Sequence, residues 1–259
     1  MNKNKPLLTV KNLNKYYGST QACHNISFDL YPGQVLGIVG ESGSGKSTLL
    51  KALAGYLPID SGKVSYLNRQ EEWLNFQQIS ESYLRQLMRT EWGFVQQNPR
   101  DGLRMNVTAG ANIGERLMDI GVRNYGKIRQ EVGEWLQQVE IDCRWIDELP
   151  TTFSGGMQQR LQIARVLVTK PRLILMDEPT GGLDVSVQAR LLDLLRSLVR
   201  NLHLSVILVT HDIGVMRLLA HRLFVMKNGK IVERGLTDQV LDDPQHPYTQ
   251  QLVSATLTP

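Results

Sequence analysis

The chain has 259 residues, of which 42% are hydrophobic and 21% charged, enough for one large buried core rather than a disordered or fibrous polymer. Its net charge of +4 is spread along the sequence, which argues against a nucleic-acid groove. No apolar run approaches the ~18 residues of a membrane span, and Met1-Asn2-Lys3-Asn4-Lys5 leads into a strand-like segment without a signal peptide, so a cytosolic protein is expected. Cys23 and Cys143 have no metal-like spacing and read as free thiols in a reducing compartment.

Leu7 to Leu13 and Ile26 to Leu30 read as strands around a loop, followed by an apolar strand from Val35 to Val39. That strand runs into Gly40-Glu41-Ser42-Gly43-Ser44-Gly45-Lys46-Ser47 and then a helical run to Tyr56. A G-x-x-x-x-G-K-S loop between strand and helix is the setting that cradles phosphate: small residues let backbone N–H groups and the helix N-terminus face an anion. Gly40, Ser42, Gly43, Gly45, Lys46, Ser47 and Thr48 are therefore nucleotide-binding candidates. Lys46 is placed at the β- and γ-phosphates and the Ser47 hydroxyl on Mg²⁺.

Lys63 to Tyr66 reads as another strand, and Trp92 to Gln97 as a short strand entering a loop. From Asn98 to Pro150 the pattern is helical, with two-faced periodicity in Arg129 to Val139. Phe153-Ser154-Gly155-Gly156 then supplies small residues at an expected helix start. The buried strand Leu173 to Met176 ends in Asp177 and Glu178, at the strand end where open α/β sheets place ligands. Asp177 suits the Mg²⁺ shell, and Glu178 the base that orients an attacking water. Leu191, Leu194, Leu195, Leu198 and Leu202 form a core-facing stripe in a helix from Asp184. His211 follows the strand Val206 to Thr210, and Asn228-Gly229 marks a hairpin between Leu223 to Met226 and Lys230 to Glu233. The tail carries Pro244-Gln245-His246-Pro247-Tyr248-Thr249-Gln250, after which little of the sequence remains.

The ordered motifs resemble the nucleotide-binding domain of ATP-binding cassette (ABC) proteins over almost the whole chain. The resemblance implies an α/β P-loop NTPase of ABC type, one domain over residues 1–259. It would carry an antiparallel β subdomain that holds adenine and an inserted α-helical subdomain at roughly 98–165. It implies Mg²⁺-dependent ATP hydrolysis by a head-to-tail homodimer in which Ser154, Gly155 and Gly156 of one copy close over ATP on another. Tyr17, with Tyr16 as the alternative, matches the aromatic that stacks on adenine. Gln97, with Gln96 as the alternative, matches the glutamine that senses Mg²⁺. His211 matches the switch histidine that reads the γ-phosphate, and Gly181-Gly182-Leu183-Asp184 the loop that crosses the dimer interface. Phe153 and Met157 depart from the family's usual Leu and Gln.

Two partners are implied by different segments. The tail His246 to Gln250 is similar to that of ATPases driving peptide and nickel importers, whose partner is an integral membrane permease. The runs Leu87 to Gly93, Asp101 to Arg104, Ala109 to Met118 and Leu149 to Arg160 more closely resemble the ATP-binding subunit of the bacterial carbon-phosphorus lyase system. That subunit docks on a soluble core complex that breaks down phosphonates. Asn98 to Arg116, with Arg100, Asp101, Arg104 and Arg116, is the expected docking surface. An ABC ATPase acting on DNA or in translation would call for a coiled-coil insertion or a second cassette, neither of which the sequence shows.

Overall fold

The computed structural model describes residues 5–257, so the Met1 to Asn4 stretch, on which the signal-peptide reading rests, and the last two residues lie outside the described residues. The chain opens on a long antiparallel hairpin of β1 (Leu8–Tyr17) and β2 (Thr20–Leu30). Both strands reach beyond the expected segments, and the expected loop shrinks to Gly18 and Ser19. Register shifts between Val10 and Tyr16, with Asn12 and Asn25 at φ 49° and 51°, break the two-residue alternation while the pairing continues.

After β3 (Val35–Val39), α1 spans Lys46–Leu53; it ends before Tyr56 because Gly55 adopts φ 76°. Next come β4 (Ser61–Leu67), β5 (Trp73–Asn75) and α2 (Glu81–Thr90), the last capped by the Ser80 hydroxyl accepting from Tyr83 N–H. β6 (Trp92–Val95) leads to α3 (Pro99–Gly102), α4 (Ala109–Asp119), α5 (Tyr125–Gln138) and α6 (Gly155–Leu167). Then follow β7 (Leu173–Asp177), α7 (Val185–Leu202), β8 (Ser205–Val209) and α8 (Ile213–Leu219). β9 (Arg222–Lys227), β10 (Lys230–Leu236), α9 (Thr237–Asp242) and α10 (Pro247–Leu257) complete the described chain.

Two sheets form, in the orders β2-β1-β4-β5 and β10-β9-β3-β8-β7-β6. The first is antiparallel; in the second, β9, β3, β8, β7 and β6 are parallel and β10 pairs antiparallel with β9. β3, β7 and β8 are buried throughout, which explains their unbroken apolar runs. One core lies between the sheets, where Leu13, Ile26, Ile38, Leu50 and Phe224 meet. A second joins the other face of the parallel sheet to the helices through Val95, Leu161, Leu191, Leu195 and Leu208. Leu202 is not part of the expected stripe: at the last turn of α7 it is 41% exposed. Asn228 and Gly229, at φ 48° and 75°, make the expected tight turn between β9 and β10.

This topology aligns the carboxyl ends of β3, β7 and β8. The phosphate-type loop, the two acids and His211 thus emerge along one edge of one sheet, although nearly 170 residues separate the loop from the histidine.

Candidate functional site

A cleft of about 720 Å³ opens at that edge. Its walls include Tyr17 from the end of β1, the loop residues Ser42, Gly43, Gly45, Lys46, Ser47 and Thr48, and Gln97, Glu178 and His211. Of the two alternatives at each position, Tyr17 and Gln97 line the cleft. Tyr16 instead accepts a hydrogen bond from Gln21 at 2.9 Å, and the Gln96 backbone is held by the Gln162 side chain of α6 at 2.6 and 3.2 Å.

The loop is shaped by its glycines. Gly45 has φ 102°, and a β-carbon there would collide with the Ala22 carbonyl oxygen of β2. Gly40 lies behind the cleft, packed on the backbone of Met226. We expect Gly45→Ala to destabilise the fold by about 2 kcal/mol or more, since neither backbone can yield cheaply. A thermal melt should show a fall of roughly 4 °C or more; an unchanged melting temperature would mean that the hairpin simply moves aside.

Lys46 donates to the Gly40 and Glu41 carbonyls at 2.7 and 2.8 Å. Burial lowers the pKa of its ammonium, against the opposing charges of Glu178, Asp177 and Glu41. The Ser47 hydroxyl donates to Asp177 Oδ1 at 2.9 Å. Burial raises the Asp177 pKa, opposed by that bond and by the charges of Lys51 and Lys46. His211 Nδ1 lies 2.9 Å from Glu178 Oε1 and 2.8 Å from Oε2; since a carboxylate accepts, the imidazole proton belongs on Nδ1. Glu178 itself holds φ 47°, a left-handed conformation costly for a side chain with a β-carbon. It is fixed by its N–H to Val209 O at 2.8 Å and by Gly181 N–H to its carbonyl at 2.9 Å.

Ser154, Gly155 and Gly156 do not reach this cleft. They start α6, with the exposed Ser154 hydroxyl accepting from Met157 N–H at 3.3 Å and Gly156 tight against Val187. Phe153 is buried edge-on against Trp145, 5.4 Å between ring centroids. Cys23 is buried and its thiol pushed up to about 12 by burial, so it is inert.

Sequence reasoning missed part of the wall. Thr20, Gln21, Ala22, Asn228 and Gly229 also line the cleft. The Asn-Gly turn was legible as a turn, but not its place beside the loop. Gly229 N–H donates to Ser44 O at 3.0 Å and His24 N–H to Gly229 O at 2.7 Å, contacts created by the pairing of β9 with β3.

The family model for ABC transporter proteins matches residues 23–181, a stretch that holds the loop, Gln97, Ser154 and both acids. The phosphonates utilization ATP-binding protein PhnK of Escherichia coli (strain K12) is 62% identical over 98% of this chain and 99% of its own length. The dipeptide transport ATP-binding protein DppD of Bacillus subtilis (strain 168) is 35% identical, over 96% of this chain and 76% of its own. Among solved structures, the dimeric post-hydrolysis ATP-binding cassette MJ0796 with ADP and Pi superimposes with a TM-score of 0.79 at 30% identity, covering 89% of this chain and 98% of that one. With such a relative along nearly its full length and a family match over more than half of its residues, the chain belongs to the ABC transporter family.

Proposed function

We propose that this chain is a Mg²⁺-dependent ATPase subunit that pairs with a second copy around ATP and couples hydrolysis to a carbon-phosphorus lyase core complex in bacterial phosphonate breakdown. The observation that carries the ATPase reading is the convergence of two polar pairs, Ser47 with Asp177 and Glu178 with His211, on a cleft walled by the glycine loop. Residues 1–259 act as one ATPase domain, in which roughly 98–165, including α3 to α6, is a helical subdomain bearing the Ser154 signature.

In this reading adenine stacks on Tyr17 and the phosphates take the loop amides. Lys46 exchanges its two carbonyl partners for phosphate oxygens. The Ser47 hydroxyl and Asp177 carboxylate, hard oxygen donors already in contact, fit Mg²⁺, with Gln97 on the same wall. When bound, that ion supplies charge neutralisation at the phosphates. Glu178 orients the attacking water and accepts its proton, while His211 holds the Glu178 carboxylate and reaches toward the γ-phosphate.

The 62% identity to a phosphonates utilization protein favours the lyase partner over a permease. The expected docking surface changes in detail. Arg116 is turned inward, 13% exposed, donating to the carbonyls of Met88 and Arg89 at 3.1 Å, so it does not belong to that surface. Arg104 pairs with Glu115 at 2.7 Å but stays half-exposed, and Arg100 and Asp101 are exposed. We expect Arg100→Glu with Arg104→Glu to abolish co-purification with the soluble lyase subunits while ATP binding survives. The Arg104 pair lies at the surface and contributes at most ~1 kcal/mol to folding, so loss of the partner would not reflect unfolding. Purification of the wild-type chain with its endogenous partners, identified by mass, tests the assignment directly. Recovery only with an integral permease, to which the resemblance to DppD points, would replace the lyase with an importer.

A further inference from the structure

The buried tail residue Tyr248, which has no part in the cleft described above, reaches back across the sequence to the phosphate loop. Its hydroxyl accepts a hydrogen bond from the backbone N–H of Glu41 at 2.9 Å. Glu41 is the second residue of the glycine loop, and its carbonyl takes both Lys46 Nζ at 2.8 Å and Ser44 N–H at 3.2 Å. The phenol therefore fixes a residue around which the loop's curl and its lysine are organised.

The tail is held in place for this contact. The Glu233 carboxylate on β10 accepts from Gln245 N–H at 2.8 Å and His246 N–H at 2.9 Å, just ahead of Pro247 at the start of α10. Burial alone would raise the Glu233 pKa; bonds from Thr249 and those two amides hold it below the usual carboxylate range. Tyr248 N–H donates to His246 Nδ1 at 3.1 Å. The ring is only 3% exposed, and Lys227 Nζ sits 4.4 Å from its centroid. A tyrosine buried in this way needs a partner for its hydroxyl, and here the partner is the loop itself.

We infer that Tyr248 is a positioning residue for nucleotide binding: through its hydroxyl, the C-terminal helix holds the phosphate loop in the curled form that receives phosphates. The inference rests on the reading of the cleft as an ATP site. Pre-organisation of this kind lowers the ordering cost of binding, so its loss weakens affinity rather than chemistry.

Tyr248→Phe tests it, because the ring, its burial and the Lys227 contact all remain. Affinities for ATP and ADP, measured with a fluorescent nucleotide analogue and by competition, should fall about fivefold together, equivalent to ~1 kcal/mol and typical of one hydrogen bond. Turnover at saturating ATP should stay within about twofold, and the nucleotide-free melting temperature within about 2 °C. Amide exchange in the peptide containing Glu41 should accelerate. Wild-type affinity in the variant overturns the inference, as does weaker binding accompanied by a lower melting temperature in the nucleotide-free protein, which would mark Tyr248 as merely structural. If the wild-type chain fails to bind ATP, the cleft reading falls first and this inference with it.

Discussion

Glu178→Gln should bind ATP normally and hydrolyse it at least ~100-fold more slowly, the scale of a lost general base. Glutamine has the size and shape of glutamate, and its carbonyl oxygen still accepts from His211 Nδ1, so the pair that now spans 2.9 Å survives. The backbone at φ 47° is held by Val209 and Gly181, not by the carboxylate, so the side chain's aim is retained. What disappears is the capacity to take a proton from water. Equilibrium ATP binding together with single-turnover phosphate release separates the two effects. Near-normal turnover would remove Glu178 from the role. Lys46→Ala provides the contrast: it deletes the loop's buried cation, so it should weaken ATP binding itself.

The legible parts of this molecule are those whose physics is local. A phosphate loop needs glycines, a lysine and a serine within eight residues of one another, and a buried parallel strand is a short apolar run; both stand in the structure where the sequence puts them. The Asn228-Gly229 turn is local in the same sense. The β1–β2 hairpin was only half legible, because its irregular register destroys the alternation by which a half-buried strand is recognised. α2 went unread although its Ser80 cap is a fair helix-start signal; half of its residues are exposed, and Leu87 is its one buried side chain. The inward turn of Arg116 could not be read either, since the carbonyls it meets belong to Met88 and Arg89 on another helix. Likewise, the contact of Tyr248 with Glu41 joins residues 207 apart and exists only because β10 delivers the tail to the loop. The place of a motif between its strand and helix is thus readable from sequence, whereas the backbone contacts that hold it in shape depend on the whole fold.

A mixture of Lys46→Ala and Ser154→Arg chains, each inactive alone, should recover ATPase activity. The geometry motivates this expectation: Ser154 begins α6, exposed, and lies outside the cleft that Lys46 occupies in its own chain. Placed head to tail, two copies would bring each signature to the other's cleft, with the helix N-terminus and the Ser154 hydroxyl directed at phosphate. An arginine at Ser154 then obstructs the partner's site, while an alanine at Lys46 empties the variant's own. In a mixed pair both defects fall on the same site, and the other combines an intact Lys46 with an intact Ser154. Random pairing puts about half of the chains into mixed pairs with one good site in two, so about a quarter of wild-type activity should return if the sites act independently. Titrating one variant into the other and following phosphate release checks both the recovery and its dependence on mixing ratio. Were the site complete within one chain, Ser154→Arg would leave substantial activity on its own. Were Ser154 important only for folding its own helix, mixing would restore nothing. A recovered fraction that peaks near equal amounts of the two chains is the signature of ATP held between copies, with the helix that grips it in one chain answering to the acids that cleave it in the other.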